Sequence, residues 1–163
     1  MNIEIKAYDK EDIVEIIYIW NEVVQDGIAF PQMNLLTESS GDDFFSKQSF
    51  TGVAYDIDRK EIVGLYILHP NNVGRCGHIS NASYAVKKCM RGHRIGEKLV
   101  IHSMNKAKEL NFKILQFNAV VKSNEYALRL YEKLGFTKLG VITNGFLMKD
   151  GTYEDIIPHY CIL

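Results

Sequence analysis

A short basic turn with two glycines is the part of this sequence whose residue types could bind an anion. It spans residues 91–96, RGHRIG, between a strand-like stretch, HISNASYAV, and a helix-like stretch that begins near Arg94. Backbone N–H groups at a helix start have no intrahelical partner and lie at the positive end of the helix dipole, so they can bind a phosphate. A plain strand-to-helix turn with surface arginines is the alternative, and so short a motif does not decide between the two.

Asn124 and Tyr131 are a second pair whose spacing suits chemistry. They stand seven residues apart in a helix-like segment, which is two turns, so both side chains lie on one helix face. A tyrosine hydroxyl, with a pKa near ~10, can donate a proton to a bound ligand. Spacing alone favours an ordinary half-buried aromatic residue at position 131.

Two asparagines, Asn81 and Asn118, stand in the strand-like stretches HISNASYAV and KILQFNAV. An amide cannot serve as a base, but it can orient a carboxylate or a water molecule. The first stretch contains no acidic residue that could act as a general base. His78 is a weak candidate for a base, because it falls on the strand face opposite Asn81. The general base is therefore unassigned. Satisfying backbone groups where strands part is the alternative role of these amides.

The elements that must position these residues follow from hydrophobic periodicity, which predicts the order β-α-α-β-β-β-α-β-α-β-β. Apolar residues at three-and-four spacing from Ile13 to Val24 predict the first helix, with Asp9 as a cap before it and Gly27 at its end. The irregular segment 28–41 could cover a site. The other elements are predicted as strand 3–7, helix 42–48, a hairpin of 50–58 and 61–69, strand 78–86, helix 94–110, strand 113–120, helix 124–134, strand 136–142, a turn at 149–151 and a last strand within 153–163.

Length and composition narrow the class of protein. The chain has 163 residues, 47% of them hydrophobic and 24% charged, which fits a single globular domain over residues 1–163. The formal charge of −1 predicts no nucleic-acid partner, and the acidic start without an apolar run predicts a cytoplasmic protein with no membrane association. The three cysteines lack metal-ligand spacing, so we expect reduced thiols and no metal.

The two chemistry-bearing segments together resemble the GNAT superfamily of acetyl-CoA-dependent N-acyltransferases. That family has the pattern Arg/Gln-x-x-Gly-x-Gly/Ala after its fourth strand; here Arg91 and Gly96 match, and Arg94 replaces the middle glycine. Asn124, Ala127 and the string LYEKLGF match downstream, so the resemblance covers roughly residues 78–140. It implies an α/β GNAT fold, with a mixed, mostly antiparallel sheet of six to seven strands, helices on both faces and a splayed pair of parallel strands.

The resemblance also implies a binding mode and an activity. Acetyl-CoA, the co-substrate, would lie between the splayed strands 78–86 and 113–120, with its pyrophosphate on residues 91–96 and no metal. Tyr131 and Asn124 are then the catalytic residues. Acyl transfer from a thioester expels a thiolate, and since a thiol has a pKa near ~8.5, the resemblance makes Tyr131 the general acid that protonates it. The residues assigned to the coenzyme are Tyr84, Ala85, Val86, Arg91, Gly92, His93, Arg94, Ile95, Gly96, Asn118, Asn124 and Tyr131.

The longer strings LHPNNVGRCGHISNASYAV and LQFNAVVKSN are similar to a narrower branch that includes the proline-analogue N-acetyltransferases, which act on small cyclic secondary amines such as azetidine-2-carboxylate. In that branch, asparagines matching Asn81 and Asn118 hold the substrate carboxylate, and one matching Asn124 lies near the thiol. The resemblance therefore implies direct acetyl transfer to the amine of a small molecule, such as an amino or imino acid.

Two other functions stay open at the level of sequence. The acceptor could be a peptide or protein N-terminus, or the chain could bind CoA as a sensor without catalysis. GNAT proteins often form homodimers through their sheets or C-terminal strands, and the apolar segment IIPHYCIL suits such a contact. We accordingly expect a homodimer, although a core strand would have the same composition.

Overall fold

Nine strands and four α-helices make up the chain in the computed structural model, which describes residues 1–163. Their bounds are β1 Ile3–Ala7, α1 Ile13–Asp26, α2 Glu38–Ser46, β2 Phe50–Asp56, β3 Glu61–Pro70, β4 Ile79–Val86, α3 Ile95–Glu109, β5 Ile114–Phe117, α4 Glu125–Lys133, β6 Thr137–Lys138, β7 Ile142–Leu147, β8 Tyr153–Ile156 and β9 His159–Ile162. No helix combines the length and apolar character needed to cross a membrane.

Seven strands form one sheet in the order β1-β2-β3-β4-β5-β9-β6, while β7 and β8 pair as a separate two-stranded ribbon. Every pairing in the large sheet is antiparallel except that of β4 with β5. The predicted fold class, a mixed and mostly antiparallel sheet with one parallel pair, is therefore confirmed.

Each face of the sheet packs against its own pair of helices. On one face, Trp20 of α1 and Phe45 of α2 join Leu65 of β3 in a buried cluster. On the other, Leu99 of α3 and Leu130 of α4 belong to a second buried cluster. Because side chains alternate along a strand, β4 contributes Ala82 and Tyr84 to the α3 side and Ala85 to the α1 side.

The helix ends follow local capping. Asp9 accepts a hydrogen bond from the backbone N–H of Glu11 at the turn before α1, and Gly27 ends α1 with φ 63°. The second helix begins earlier than the predicted residue 42, because Thr37 accepts from the backbone N–H of Ser40 and caps it. Gly41 lies inside this helix and against α1, where a Cβ would lie 2.8 Å from Ile17.

The C-terminal part contains more strands than predicted. Residues 136–142 do not form one strand, because Gly140, with φ 136°, separates β6 from β7. The predicted last strand is likewise divided at Pro158 into β8 and β9, since proline has no N–H for a continuous ladder. The turn at 149–151 is confirmed between β7 and β8. As a result, β6 and β9 join the large sheet and β7 and β8 form the ribbon.

Candidate active site

The parallel strands β4 and β5 pair over only three rows, which end at Asn81 opposite Gln116. Beyond that row the edge of β4 that faces β5 has no partner strand, while its other edge stays paired with β3 as far as Val86. Lys87 donates its backbone N–H to Val63, and ladder bonds alternate along an antiparallel pair. The backbone N–H groups of Tyr84 and Val86, which lie past the last row shared with β5, therefore point to the open edge.

The turn at residues 91–96 follows this strand, as the sequence predicts. None of the backbone N–H groups from Gly92 to Glu97 donates to an acceptor within the chain, and the first bond of α3 runs from Lys98 to Arg94. A run of unpaired N–H groups at the positive end of a 15-residue helix is a binding site for a phosphate-like anion. This arrangement fits a pyrophosphate.

Arg94 adopts the backbone conformation that its position demands, although it is not glycine. Its φ is 59° and its ψ 18°, in the left-handed region. A non-glycine residue in this region costs roughly 1 kcal/mol. Its side chain is exposed, so the backbone N–H can approach an anion while the guanidinium lies outside.

The charge of this loop is partly neutralised by Asp26 at the end of α1. Its two carboxylate oxygens accept hydrogen bonds from Lys88, at 3.1 Å, and from Arg91, at 3.0 Å. Partial burial opposes ionisation of Asp26, but these two bonds hold its pKa below the usual value. Arg91 is therefore a partner of a fixed carboxylate in the free protein, and its charge is only partly available to a ligand.

A cavity of about 680 Å³ extends from this loop into the opening between the strands. Most of its lining is apolar, and the wall is formed by β4, α3, α4 and the end of α1. Among the predicted coenzyme residues, those that line it are Tyr84, Val86, Arg91, Gly92, Arg94, Ile95, Gly96, Asn124 and Tyr131. Its volume and form suit an extended ligand with one charged end.

Tyr131 contributes the polar end of an aromatic group to this cavity. Its ring packs against Phe117, with centroids 4.5 Å apart, and against Phe136 and His159 at 5.5 and 5.7 Å. Its hydroxyl has no hydrogen-bond partner in the chain. Burial, with a smaller contribution from Tyr126, raises the pKa of Tyr131 above its usual value, so the hydroxyl keeps its proton at neutral pH.

Asn124 and Tyr84 each use one polar atom for structure. The Oδ1 atom of Asn124 accepts from the backbone N–H of Ala127 at 3.2 Å and caps α4, which leaves its Nδ2 group free to donate. The hydroxyl of Tyr84 lies 2.7 Å from Oγ of Ser103, and this serine donates to Val100. Tyr84 thus meets a ligand through its backbone and ring rather than its hydroxyl.

Comparison with known proteins agrees with this geometry. A model of the acetyltransferase (GNAT) family matches residues 16–136. The chain is also 31% identical, over 170 residues, to N-acetyltransferase aca1 of Schizosaccharomyces pombe, an alignment that covers 93% of this chain and 81% of that protein. The chain belongs to the GNAT acetyltransferase family. It is an acetyl-CoA-dependent N-acetyltransferase, and so an acyltransferase.

Solved structures show the same GNAT fold. A GCN5-related N-acetyltransferase from Kribbella flavida has a TM-score of 0.90 and 26% identity, covering 99% of this chain and 98% of that one. A phosphinothricin acetyltransferase from Sinorhizobium meliloti, solved in complex with acetyl-CoA, has a TM-score of 0.90 at 20% identity, covering 100% and 89% of the two chains. At that identity the second likeness shows the fold alone.

Four residues predicted for the site lie outside the lining of this GNAT cavity. Ala85 faces α1 and belongs to the buried cluster there. The ring of His93 turns back toward the loop, with Nδ1 3.2 Å from the carbonyl oxygens of Met90 and Arg91. Asn81 and Asn118 lie on the α1 face of the sheet, at the point where the strands part.

These two asparagines meet in a cluster that the sequence did not indicate. Asn71, from the loop after β3, accepts through its Oδ1 atom from Nδ2 of Asn81, at 3.3 Å, and from Nδ2 of Asn118, at 2.7 Å. Gln116 donates to Oδ1 of Asn118 at 3.0 Å. We call Asn71, Asn81, Gln116 and Asn118 the amide cluster. It contains no charged side chain, and neither Asn71 nor Gln116 was among the predicted site residues.

A second cleft of about 430 Å³ adjoins the cavity near the start of α3. It shares Arg94, Tyr126 and Leu130 with the cavity and adds Arg129 and Lys133 of α4. Lys133 pairs with Glu97 at 2.5 Å. Arg129 likewise pairs with Glu125, so the cleft carries a small excess of positive charge, from Arg94, which suits a further phosphate. Neither α4 cation was among the predicted site residues.

Proposed function

We propose that this acetyltransferase transfers the acetyl group of acetyl-CoA directly to the amine of a small amino or imino acid, in the manner of the proline-analogue branch. The observation that carries the proposal is the amide cluster. It lies where β4 and β5 part, which is where the acceptor amine must meet the thioester between the strands. Amide N–H groups recognise a carboxylate without a buried counter-charge.

On the coenzyme side, the roles follow from which groups lack partners. The backbone N–H groups from Gly92 to Glu97 bind the pyrophosphate, and the open edge of β4 bonds the extended pantetheine arm. The backbone N–H of Val86 polarises the thioester carbonyl. Arg129 and Lys133 lie in the adjoining cleft and contact the remaining phosphate of the coenzyme.

Catalysis then rests on positioning and on one proton transfer. Asn81 and Asn118 hold the acceptor so that its amine faces the acetyl group, which converts an encounter of two reactants into a reaction within one complex. Asn124 orients the sulfur through its free Nδ2 group. As the amine nitrogen bonds to the acetyl carbon and the C–S bond breaks, Tyr131, protonated at neutral pH, donates its hydroxyl proton to the departing sulfur. The proton that the amine loses passes to solvent, from which Tyr131 is protonated again.

The test is release of CoA thiol from acetyl-CoA, measured with a panel of free amino acids, cyclic imino acids, polyamines and short peptides, alongside coenzyme binding by calorimetry. We expect coenzyme binding and turnover with an amino or imino acid. Turnover restricted to peptides would overturn the proposed acceptor in favour of a peptide N-terminus. Coenzyme binding without turnover on any acceptor would indicate a sensor.

We further propose that the protein is a cytoplasmic homodimer. Five apolar side chains are exposed in and beside the ribbon β7–β8, and an exposed apolar surface of this kind is typical of an interface between copies of a chain. The members are Leu139, Val141, Ile142, Leu147 and Tyr153. Sedimentation equilibrium of wild type and of Val141→Glu tests the assembly: we expect a dimer that the charge dissociates, and a wild-type monomer would contradict it.

The proposed cytoplasmic location rests on the cysteines. Cys76 and Cys89 are exposed free thiols, which suit a reducing compartment.

A further inference from the structure

We infer that Asn71 is the positioning residue of the acceptor site, which turns the amide hydrogens of Asn81 and Asn118 toward a carboxylate and so makes the enzyme select an anionic acceptor. This inference rests on the proposed function. Asn71 lies in the loop between β3 and β4, and its own backbone N–H donates to the carbonyl of Ile79 at 2.7 Å. That bond holds the loop against the first residue of β4.

The two bonds of Asn71 fix how its neighbours are oriented. Its Oδ1 atom accepts from both Asn81 and Asn118, so both lone pairs of that oxygen are used. If the Asn71 amide were turned by 180°, its NH₂ group would face the NH₂ groups of Asn81 and Asn118, and neither contact would be a hydrogen bond. Gln116 donates to Oδ1 of Asn118, so both the oxygen and the nitrogen of the Asn118 amide have a hydrogen-bond partner.

The groups left over determine what the cluster can bind. Each amide nitrogen carries two hydrogens, and Asn81 and Asn118 each spend one on Asn71. One N–H therefore remains on each of these two residues, and both remain on Asn71, whose Nδ2 atom has no partner in the chain. Among the amide oxygens of the cluster, Oδ1 of Asn81 and Oε1 of Gln116 have no partner, so the free N–H groups outnumber the free oxygens. This surplus of donors matches a carboxylate, which has only acceptor atoms.

An aspartate at position 71 separates positioning from recognition. A carboxylate there still accepts from Asn81 and Asn118, so both side chains keep their orientation. It also removes two N–H donors and places a negative charge beside the proposed carboxylate. Asn71→Asp is therefore expected to reject an anionic acceptor while still accepting its neutral counterpart. Asn71→Ala removes the anchor and is expected to weaken both.

The experiment compares two acceptors that differ only in charge: the amino or imino acid with the highest turnover, and its primary carboxamide. For Asn71→Asp we expect the KM for the acid to rise about 30-fold or more, from the cost of placing like charges together, while the KM for the carboxamide changes less than about threefold. The KM for acetyl-CoA is expected to stay constant. Asn72→Asp, which adds the same charge at the exposed next residue, is the matched control and is expected to change neither acceptor's KM.

Two results would overturn the inference while leaving the proposed function intact. Either Asn71→Asp has no effect on the acid, or it impairs the acid and the carboxamide equally, as a merely structural role would. A wild-type enzyme that prefers the carboxamide to the acid contradicts the proposed acceptor class itself, and the inference with it. Coenzyme binding by calorimetry confirms that each variant is folded.

Discussion

On the coenzyme side of the site, six consecutive backbone N–H groups lack an acceptor in the chain, from Gly92 to Glu97, whereas on the acceptor side the unpaired donors belong to side-chain amides. Backbone donors are present whatever the side chain, so the turn tolerates Arg94 where the family pattern has glycine. The amide cluster does not tolerate substitution in this way, because each of its donors belongs to one particular side chain and is lost with it. Under the proposed function, main-chain donors recognise the coenzyme and a few side chains recognise the acceptor.

The largest effect on activity is expected from Tyr131, the proposed proton donor to the sulfur that leaves when the acetyl group moves from the coenzyme to the acceptor. Tyr131→Phe keeps the ring contacts with Phe117 and Phe136 but removes the proton donor. We expect kcat to fall about 100-fold or more, the usual scale of general acid catalysis, while the KM for acetyl-CoA changes less than about threefold. Steady-state kinetics measure both. An unchanged kcat would exclude Tyr131 from proton transfer.

A smaller effect, confined to the acceptor, is expected from Asn118→Ala. The loss of an N–H bond to a charged carboxylate should raise the KM for the amino or imino acid about tenfold or more, because such bonds contribute roughly 1.5–3 kcal/mol. Gln116→Ala is the control, since it removes only the donor that holds Asn118, and we expect a weaker effect. If Asn118→Ala raised the KM for acetyl-CoA as much as the KM for the acceptor, it would contradict the separation of coenzyme binding from acceptor binding.

Side-chain charge on the coenzyme side is expected to matter less. Arg91 is already paired with Asp26, and exposed pairs of this kind contribute at most about 1 kcal/mol, so Arg91→Ala should raise the KM for acetyl-CoA less than about fivefold. Lys88→Ala removes the other partner of Asp26 and serves as the comparison. A rise of about 50-fold or more with Arg91→Ala would show that the guanidinium, and not the backbone, binds the phosphates.

The smallest effect is expected from Arg94→Gly, which tests whether the backbone conformation of the turn is strained. Glycine adopts φ 59° freely, but it also loosens the unfolded chain, so we expect a net gain of about 0.5–1 kcal/mol in the free energy of unfolding. Arg94→Ala removes the same guanidinium and keeps the strain, so it should show no gain. Urea denaturation measures both, and equal stabilities for the two variants would argue against the strain.

Sequence periodicity and capping predicted most of the helices and strands, while the GNAT fold and the coenzyme residues were predicted from the family resemblance. Gly27 ends α1, Asn124 caps α4, and the glycine-containing turn lies between β4 and α3, all from local signals that act within a few residues. The start of α2 was missed because Thr37 and Ser40 form its capping box, in place of the usual glutamate or glutamine at the third position.

The acceptor side was predictable only in part. Asn81 and Asn118 were found through the resemblance to the proline-analogue branch, although β5 ends at Phe117, one residue before Asn118. Asn71 lies in a loop and is brought to them across 10 and 47 residues of chain. Only tertiary structure joins such positions, and no periodic pattern marks them. Asp26 was missed for the same reason, since its role depends on where α1 ends relative to Arg91, 65 residues further along the chain.

The short pairing of β4 with β5 also bears on aggregation. An unpaired strand edge is normally a hazard, because another chain can add a strand to it. In this protein the open edge of β4 lies inside the sheet, with α3 and α4 against one face and α1 against the other. The cavity of about 680 Å³ leads an extended ligand to this edge, while the helices on both faces cover it against the approach of a foreign sheet. The enzyme thus keeps a strand edge ready for its ligand without exposing that edge to other proteins.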